Sequence, residues 1–241
     1  INWLLGHPGA SRAIVDAQIP YHEAALIDYL GQEGPHAATQ ETARCLAQKA
    51  GLRAQRFAQA ENAVGVGATA ALATTRTRRG EDRAHLAIRL DDRYHLRRLA
   101  FTKDAAQRSE QEAILSLAML DLLSTVLGAE GAAQSMPAWV EIVDRQVPVH
   151  SAVENLLSGE ATAVELTSTG STLAPQRDQR LLIAGSFNPL HDGHRGLAAA
   201  ASRLSGRTAT LELSVRNVDK PSLTYSEVIE RWRGVQNETM D

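Results

Sequence analysis

The feature that most constrains the fold is a strand–loop–helix pattern in the last quarter of the sequence. Residues 181–184 (LLIA) are a short apolar run, and the loop segment GSFNPLH (residues 185–191) follows at once. Residues 194–204 then repeat apolar side chains at helical spacing, and residues 208–215 alternate as a strand does. The sequence therefore predicts a β-loop-α-β unit, which is the first half of a Rossmann-like domain.

The loop of this unit carries residue types that suit a phosphate ligand. Gly185 has no side chain to block the close approach of a nucleotide. Ser186 and Asn188 can each form hydrogen bonds to phosphate or to backbone. Because backbone N–H groups and the helix dipole favour anions at a strand-to-helix junction, we expect phosphates to bind there.

Two histidines follow the loop in the pattern His-x-Gly-His. His191 and His194 flank Gly193, which keeps the first helical turn open so that both imidazoles can face the same phosphates. Hydrogen-bond donors that are fixed at oxygens where charge develops lower the barrier to phosphate transfer. The alternative is that both histidines are ordinary surface residues at the start of a helix.

The ten-residue string GSFNPLHDGH (residues 185–194) resembles the nucleotidyltransferase superfamily. This superfamily includes the cytidylyltransferases, pantetheine-phosphate adenylyltransferase, and the nicotinate and nicotinamide mononucleotide adenylyltransferases, whose form of the motif is the most similar. The resemblance implies that His191 and His194 bind the triphosphate and stabilise the transition state. It also implies a set of nucleotide-binding residues: Gly185, Ser186, Phe187, Asn188, Gly193 and Lys220.

The same resemblance implies the substrates of the reaction. They are ATP or CTP with Mg²⁺, and a phosphorylated small molecule as acceptor. For Lys220, which follows the second strand, a solvated loop lysine is the alternative. The family's later Ser/Thr-rich signature is not in the sequence, so we expect only half of the nucleotide pocket here.

The N-terminal half resembles the C-terminal domain of the CinA family, whose active members are nicotinamide-nucleotide amidohydrolases. Residues 8–31, 39–51 and 64–88 carry this resemblance in the family's order and spacing. Tyr21 is the remnant of the family's site, but Leu26 occupies the position where active members have lysine. Leucine cannot accept a proton, so we expect a catalytically impaired domain that is kept for nucleotide binding, assembly or regulation.

A basic run follows the glycine-containing segment of this half. These arginines can pair with phosphate, although a solvated loop is at least as good an interpretation. They are Arg76, Arg78, Arg79 and Arg83.

Composition limits the classes of protein to which the chain can belong. The net charge of −3 gives no global attraction to nucleic acid or to an anionic membrane. Cys45 is the only cysteine, so no internal disulfide can form, and a cytoplasmic location is expected. No apolar stretch reaches the ~18 residues of a membrane span. No Cys/His pair has zinc spacing. We expect the chain to be a fragment cut at both ends.

These patterns predict an α/β protein with two domains. A CinA-like domain (1–135) is expected to precede a connector with a hairpin (136–179) and the nucleotidyltransferase half-domain (180–241). Helices are predicted at 21–30, 39–50 and 104–127 and strands at 63–69, 84–90 and 94–101, with residues 13–19 as a short strand or helix. The apolar helix 104–127 packs on a sheet or on a partner subunit, which predicts a homo-oligomer.

Three functional hypotheses follow. The first is a nucleotidyltransferase fused to an impaired CinA-like domain. The second is an amidohydrolase that acts through the N-terminal domain, with the other domain as passenger. The third is a nucleotide-binding scaffold without turnover.

Overall fold

The protein is described by a computed structural model that covers residues 2–32, 34–59, 63–75, 79–129, 135–167, 170–172, 180–216 and 222–238. It has the predicted α/β class, because helices and strands alternate along these segments. The chain divides into two compact units, unit 1 (residues 1–149) and unit 2 (residues 150–241).

Unit 1 is built on a sheet of four antiparallel strands that pair in sequence order, β1-β2-β3-β4. In chain order its elements are α1 (Asn2–Leu5), a 3₁₀ turn (Ala10–Arg12), α2 (Glu23–Leu30), α3 (Gln40–Ala58), β1 (Gly65–Ala71), β2 (Asp82–Leu90), β3 (Arg93–Phe101), α4 (Arg108–Val126) and β4 (Val140–Pro148).

One face of the sheet packs against α4. Alternate residues of a strand point to the same face, and Leu86 and Ile88 of β2 lie beside Leu99 of β3 on this side. All three are at most 1% exposed, and they pack with Ala118 and Leu122 of α4. The sequence predicted that the apolar helix packs on a sheet or on a partner subunit, and the structure shows that it packs on the sheet. The homo-oligomer stays a prediction.

The other face packs against α3 at very short range. A Cβ atom added to Gly65 would lie 2.0 Å from the carbonyl oxygen of Ala47, and one added to Gly67 would lie 2.2 Å from that of Ala43. Only glycine lets the strand and the helix backbone approach so closely.

This contact corrects the prediction that α3 ends at residue 50. The helix continues through Gly51 to Ala58. Gly51 packs directly against Gly65 of β1, since a Cβ atom at position 51 would lie 3.6 Å from the Cα atom of Gly65. The glycine serves helix–strand packing and does not terminate the helix.

Two further predictions differ from the structure. Residues 13–19 form no regular element. The helix predicted from residue 104 begins at Arg108, because the Gln107 N–H donates to Glu110 Oε2 at 2.7 Å and so caps the helix there. The strands predicted at 63–69, 84–90 and 94–101 are confirmed as β1, β2 and β3 to within a few residues.

A buried histidine in β2 makes the stability of unit 1 sensitive to acid. Burial, with help from Arg83 and Arg98, lowers the pKa of His85 from 6.5 to about 4. Because the fold favours the neutral imidazole, its contribution to stability is complete above pH 6.5 and is lost as the pH falls towards 4. We expect His85→Asn to flatten the fall of the unfolding temperature over this window, as followed by circular dichroism.

The exposed His7 gives the matched control, and His7→Asn should leave that fall unchanged. Equal pH dependence in the wild type and His85→Asn would contradict this account of acid sensitivity.

Unit 2 combines a two-stranded parallel sheet with a small hairpin and three helices among its described residues. Its elements are α5 (Ser151–Ser158), β5 (Glu165–Thr167), β6 (Gly170–Thr172), β7 (Leu181–Ala184), α6 (Asp192–Ser205), β8 (Ala209–Glu212) and α7 (Tyr225–Glu238). β7 and β8 are parallel, with Leu181 opposite Ala209, and α6 connects them. This is the predicted β-loop-α-β unit.

The compact units divide the chain later than the predicted first domain. That prediction ended the domain near residue 135, but β4 lies beyond this point and pairs along its whole length with β3. The remainder of the predicted connector contains α5 and the hairpin of β5 and β6, which belong to unit 2. Pairing between distant segments, which local composition does not reveal, sets the division at 149/150.

Candidate functional site

The loop of residues 185–191 leaves the sheet at the carboxyl end of β7. The Gly185 N–H donates to the Glu212 carbonyl at 3.1 Å, so the ladder between β7 and β8 continues one residue into the loop. Ligands of open parallel sheets bind at this end of the strands. The loop predicted from the sequence therefore lies where such a site belongs.

Phe187 gives the loop its shape. The residue adopts a left-handed backbone conformation with φ of 45°, and it is only 4% exposed. A Cβ atom added to Gly185 would lie 2.7 Å from two ring carbons, Cε1 and Cζ. Gly185 is thus required by the buried ring of Phe187, a reason that the sequence did not suggest.

The two histidines of the motif lie face to face. The ring centroids of His191 and His194 are 3.8 Å apart, and the ring planes are inclined by 28°. The ring of Phe187 meets that of His194 edge-on, with centroids 5.1 Å apart. The structure brings the two predicted catalytic residues together at the start of α6.

A backbone hydrogen bond fixes the tautomer of one imidazole. The His191 N–H donates to His194 Nδ1 at 3.3 Å, and a backbone amide can only donate. Nδ1 of His194 is therefore the unprotonated nitrogen of the neutral ring, and Nε2 carries the proton. The half-buried His194 thus has an N–H donor at Nε2, on the edge of the ring away from the backbone.

Gly193 makes room for the stacked pair. A Cβ atom at this position would lie 3.1 Å from both Cε1 and Nδ1 of His191. The neighbouring Asp192 pairs with Arg195 at 2.7 Å on the exposed side of the first turn. The imidazole of His191 thus lies over the one residue of the turn that lacks a side chain.

We expect Gly193→Ala to separate activity from stability. Alanine favours a helix over glycine by about 1 kcal/mol, so the unfolding temperature should not fall. The methyl group should push His191 off His194 and lower any turnover that depends on the pair by about tenfold or more. Thermal unfolding and a rate assay on the same sample measure both effects. A variant with full turnover would show that the stacking has no catalytic role.

The other predicted nucleotide-binding residues fall into two groups. Ser186 and Asn188 are exposed on the loop, and Asn188 also lines a cleft of about 170 Å³ that the loop forms with α7. Lys220 lies outside the described residues.

Sequence reasoning missed a contact between α7 and the loop. Arg231 Nη1 donates to the carbonyl oxygen of Ser186 at 3.1 Å, across 45 residues of sequence. A local signal marked the start of this helix, because Thr224 and Glu227 form a capping box: the Thr224 N–H and hydroxyl donate to Glu227 Oε2 at 2.7 and 2.8 Å. These hydrogen bonds hold the pKa of Glu227 below its usual value.

In unit 1, the predicted CinA-like residue Tyr21 is 88% exposed, and it precedes α2. Its side chain is therefore not part of the core of unit 1. Leu26 is half-buried within α2.

The structure describes only part of the basic run. Arg83 donates through Nε to the Ala38 carbonyl at 3.1 Å and through Nη1 to the Glu81 carbonyl at 3.3 Å, so backbone oxygens occupy both nitrogens. Arg79 is exposed, and Arg76 and Arg78 lie outside the described residues.

Comparison with known proteins gives no match to a protein-family model, to a curated protein or to a solved structure. Among the described residues, no helix is long and apolar enough to cross a membrane. Nor does this part of the chain bring together three His, Cys, Asp or Glu side chains that could hold a metal ion.

Proposed function

We propose that unit 2 transfers a nucleoside monophosphate from ATP or CTP to a phosphorylated small molecule. An oxygen of the acceptor phosphate forms a bond to the α-phosphorus. The bond from that phosphorus to the oxygen bridging to the β-phosphorus breaks, and pyrophosphate leaves with the electron pair.

The observation that carries this proposal is the pair of stacked imidazoles at the first turn of α6. The centroid distance of 3.8 Å and the hydrogen bond to Nδ1 arrange His191 and His194 before any ligand binds. Donors arranged in advance stabilise the charge that builds on phosphate oxygens in the transition state. His194 would donate through Nε2 to the triphosphate, and His191 would contact the same group of phosphates.

The loop and the helix supply the rest of the proposed phosphate site. The first turn of α6 contributes the positive end of its dipole. Ser186 is exposed beside it and offers a hydroxyl donor. The resemblance of residues 185–194 to the nucleotidyltransferases gives the same assignment.

Magnesium enters this proposal as part of the nucleotide substrate. Mg²⁺ is bound in such sites mainly through substrate phosphates and water, with few protein ligands. The described residues offer the histidines and the helix start for the phosphates, and this division of roles fits a Mg²⁺–nucleotide complex. The ion supplies further neutralisation of the phosphate charge when it is bound.

The test is pyrophosphate release by the full-length protein with Mg²⁺, ATP or CTP, and a panel of acceptors. The panel contains nicotinamide mononucleotide, nicotinate mononucleotide and phosphopantetheine, and a reaction without acceptor is the control. We expect turnover with one donor–acceptor pair. A folded chain that binds nucleotide but releases no pyrophosphate with any pair would favour the nucleotide-binding scaffold.

For unit 1 we propose a CinA-like domain without amidohydrolase activity. The support is Leu26, which stands where active members of that family carry lysine, so the proton acceptor is missing. We expect no ammonia release from nicotinamide mononucleotide. Release that Tyr21→Phe abolishes would contradict this assignment and favour the amidohydrolase hypothesis.

A further inference from the structure

We propose that Arg231 is a positioning residue, which holds the loop of residues 185–191 in the conformation that binds the triphosphate. This inference rests on the proposed nucleotidyl transfer. Its basis is the hydrogen bond from Arg231 Nη1 to the Ser186 carbonyl oxygen at 3.1 Å. Arg231 contacts the loop through this backbone oxygen, and we assign it no contact with the reacting atoms.

The contact orients a peptide group of the loop. The peptide bond between Ser186 and Phe187 is planar and trans, so its carbonyl and its N–H point in opposite directions. When Arg231 holds the carbonyl of Ser186 towards α7, the N–H of Phe187 points to the other side of the loop. Backbone N–H groups of such loops are the donors that cradle phosphates.

The backbone conformation at Phe187 shows why the loop needs an external support. A φ of 45° is costly for a residue with a side chain and persists only when its surroundings impose it. Burial of the ring is one such restraint, and the bond to Ser186 is another at the preceding residue. Without Arg231, the peptide group between Ser186 and Phe187 can rotate and carry the Phe187 N–H away from the ligand.

Helix α7 holds Arg231 in place through contacts of its own. The Tyr225 hydroxyl accepts a hydrogen bond from the His150 N–H at 2.7 Å, and its side chain is fully buried. Val228 and Ile229 are at most 3% exposed, and Trp232 packs edge-on against His150 with centroids 4.8 Å apart. These contacts hold α7 beside the start of α5, and Arg231 extends from the helix to the Ser186 carbonyl.

The experiment compares three variants of the full chain with the wild type. Arg231→Met removes the donor but keeps roughly the length of the side chain, and Arg231→Lys restores a positively charged donor group at one nitrogen. Arg233→Met makes the same change of charge at an exposed position of the same helix and is the matched control. Titration with ATP and CTP in the presence of Mg²⁺ gives the dissociation constant, and pyrophosphate release gives kcat and KM.

We expect Arg231→Met to weaken binding of the triphosphate by about tenfold, the effect of one charge-assisted hydrogen bond. Its kcat should fall while the KM for the acceptor stays constant, and Arg231→Lys should recover part of both losses. Arg233→Met should match the wild type. Equal unfolding temperatures for all four proteins would separate this pattern from general destabilisation.

The outcomes distinguish this inference from the proposed function. Wild-type turnover together with unchanged nucleotide binding and kcat in Arg231→Met would overturn the role of Arg231 alone. Absence of wild-type turnover would count against the proposed transfer, while a tenfold loss of nucleotide affinity in Arg231→Met would still support the positioning role. A wild-type chain that binds neither nucleotide would overturn both.

Discussion

Replacement of His194 by alanine is expected to lower pyrophosphate release by the full chain by about a hundredfold to a thousandfold, the usual effect of removing one donor to a developing oxyanion. The proton on Nε2 is the donor that is lost. The side chain is half-buried at the first turn of α6, and its ring stacks on that of His191 with the centroids 3.8 Å apart.

Two further substitutions separate this donor from the local structure that His194 supports. Asparagine places an amide atom near the position of Nδ1, so His194→Asn can still accept the His191 N–H but has no donor at the position of Nε2. Glutamine reaches the position of Nε2. We expect His194→Asn to be as inactive as His194→Ala, and His194→Gln to retain more activity than either.

Rates are measured beside thermal unfolding, and His7→Ala serves as the exposed histidine control. Variants of His194 that unfold at the wild-type temperature and release pyrophosphate at the wild-type rate would remove His194 from the mechanism.

Replacement of Gly65 by alanine is expected to destabilise unit 1 by about 3 kcal/mol or more, which is at the upper end for a single added methyl group. The new Cβ atom would lie 2.0 Å from the Ala47 carbonyl oxygen and 2.6 Å from the Gly51 nitrogen. Both atoms belong to the backbone of α3, so no side-chain rotation relieves the clash. The strand and the helix must separate along their shared face.

The matched control is Gly80→Ala. This glycine is exposed, and a Cβ atom there meets no atom within 4 Å. Denaturant unfolding of the two variants and the wild type measures the difference, with Gly80→Ala expected to lie within about 0.5 kcal/mol of the wild type. Equal stability of Gly65→Ala and Gly80→Ala would show that α3 and β1 do not pack as closely as described.

The contrast between α6 and α3 shows which parts of this fold a sequence can predict. The β-loop-α-β unit of β7, α6 and β8 was predictable because each of its signals is local: an apolar run, a loop motif, helical spacing and a terminal Gly206 with φ of 67°. In α3 the same kind of signal misled, because Gly51 resembles a helix terminator. Its role depends on Gly65, which lies on a strand that follows the helix.

The candidate site divides in the same way. His191 and His194 are three residues apart on one helix start, so their approach could be inferred from spacing alone. Their stacking, and the dependence of Gly185 on the ring of Phe187, involve side-chain positions that spacing does not specify. The bond from Arg231 to Ser186 joins segments 45 residues apart, and only the tertiary structure brings them together.

The most direct test of nucleotidyl transfer follows the α-phosphate itself. The full chain is incubated with Mg²⁺, ATP or CTP labelled at the α-phosphate, and each acceptor of the panel, and the products are separated by chromatography. Our account predicts that the label moves to the acceptor in a new pyrophosphate linkage, while the released pyrophosphate is unlabelled. Label that stays in the triphosphate, or that appears only in the nucleoside diphosphate, would contradict it.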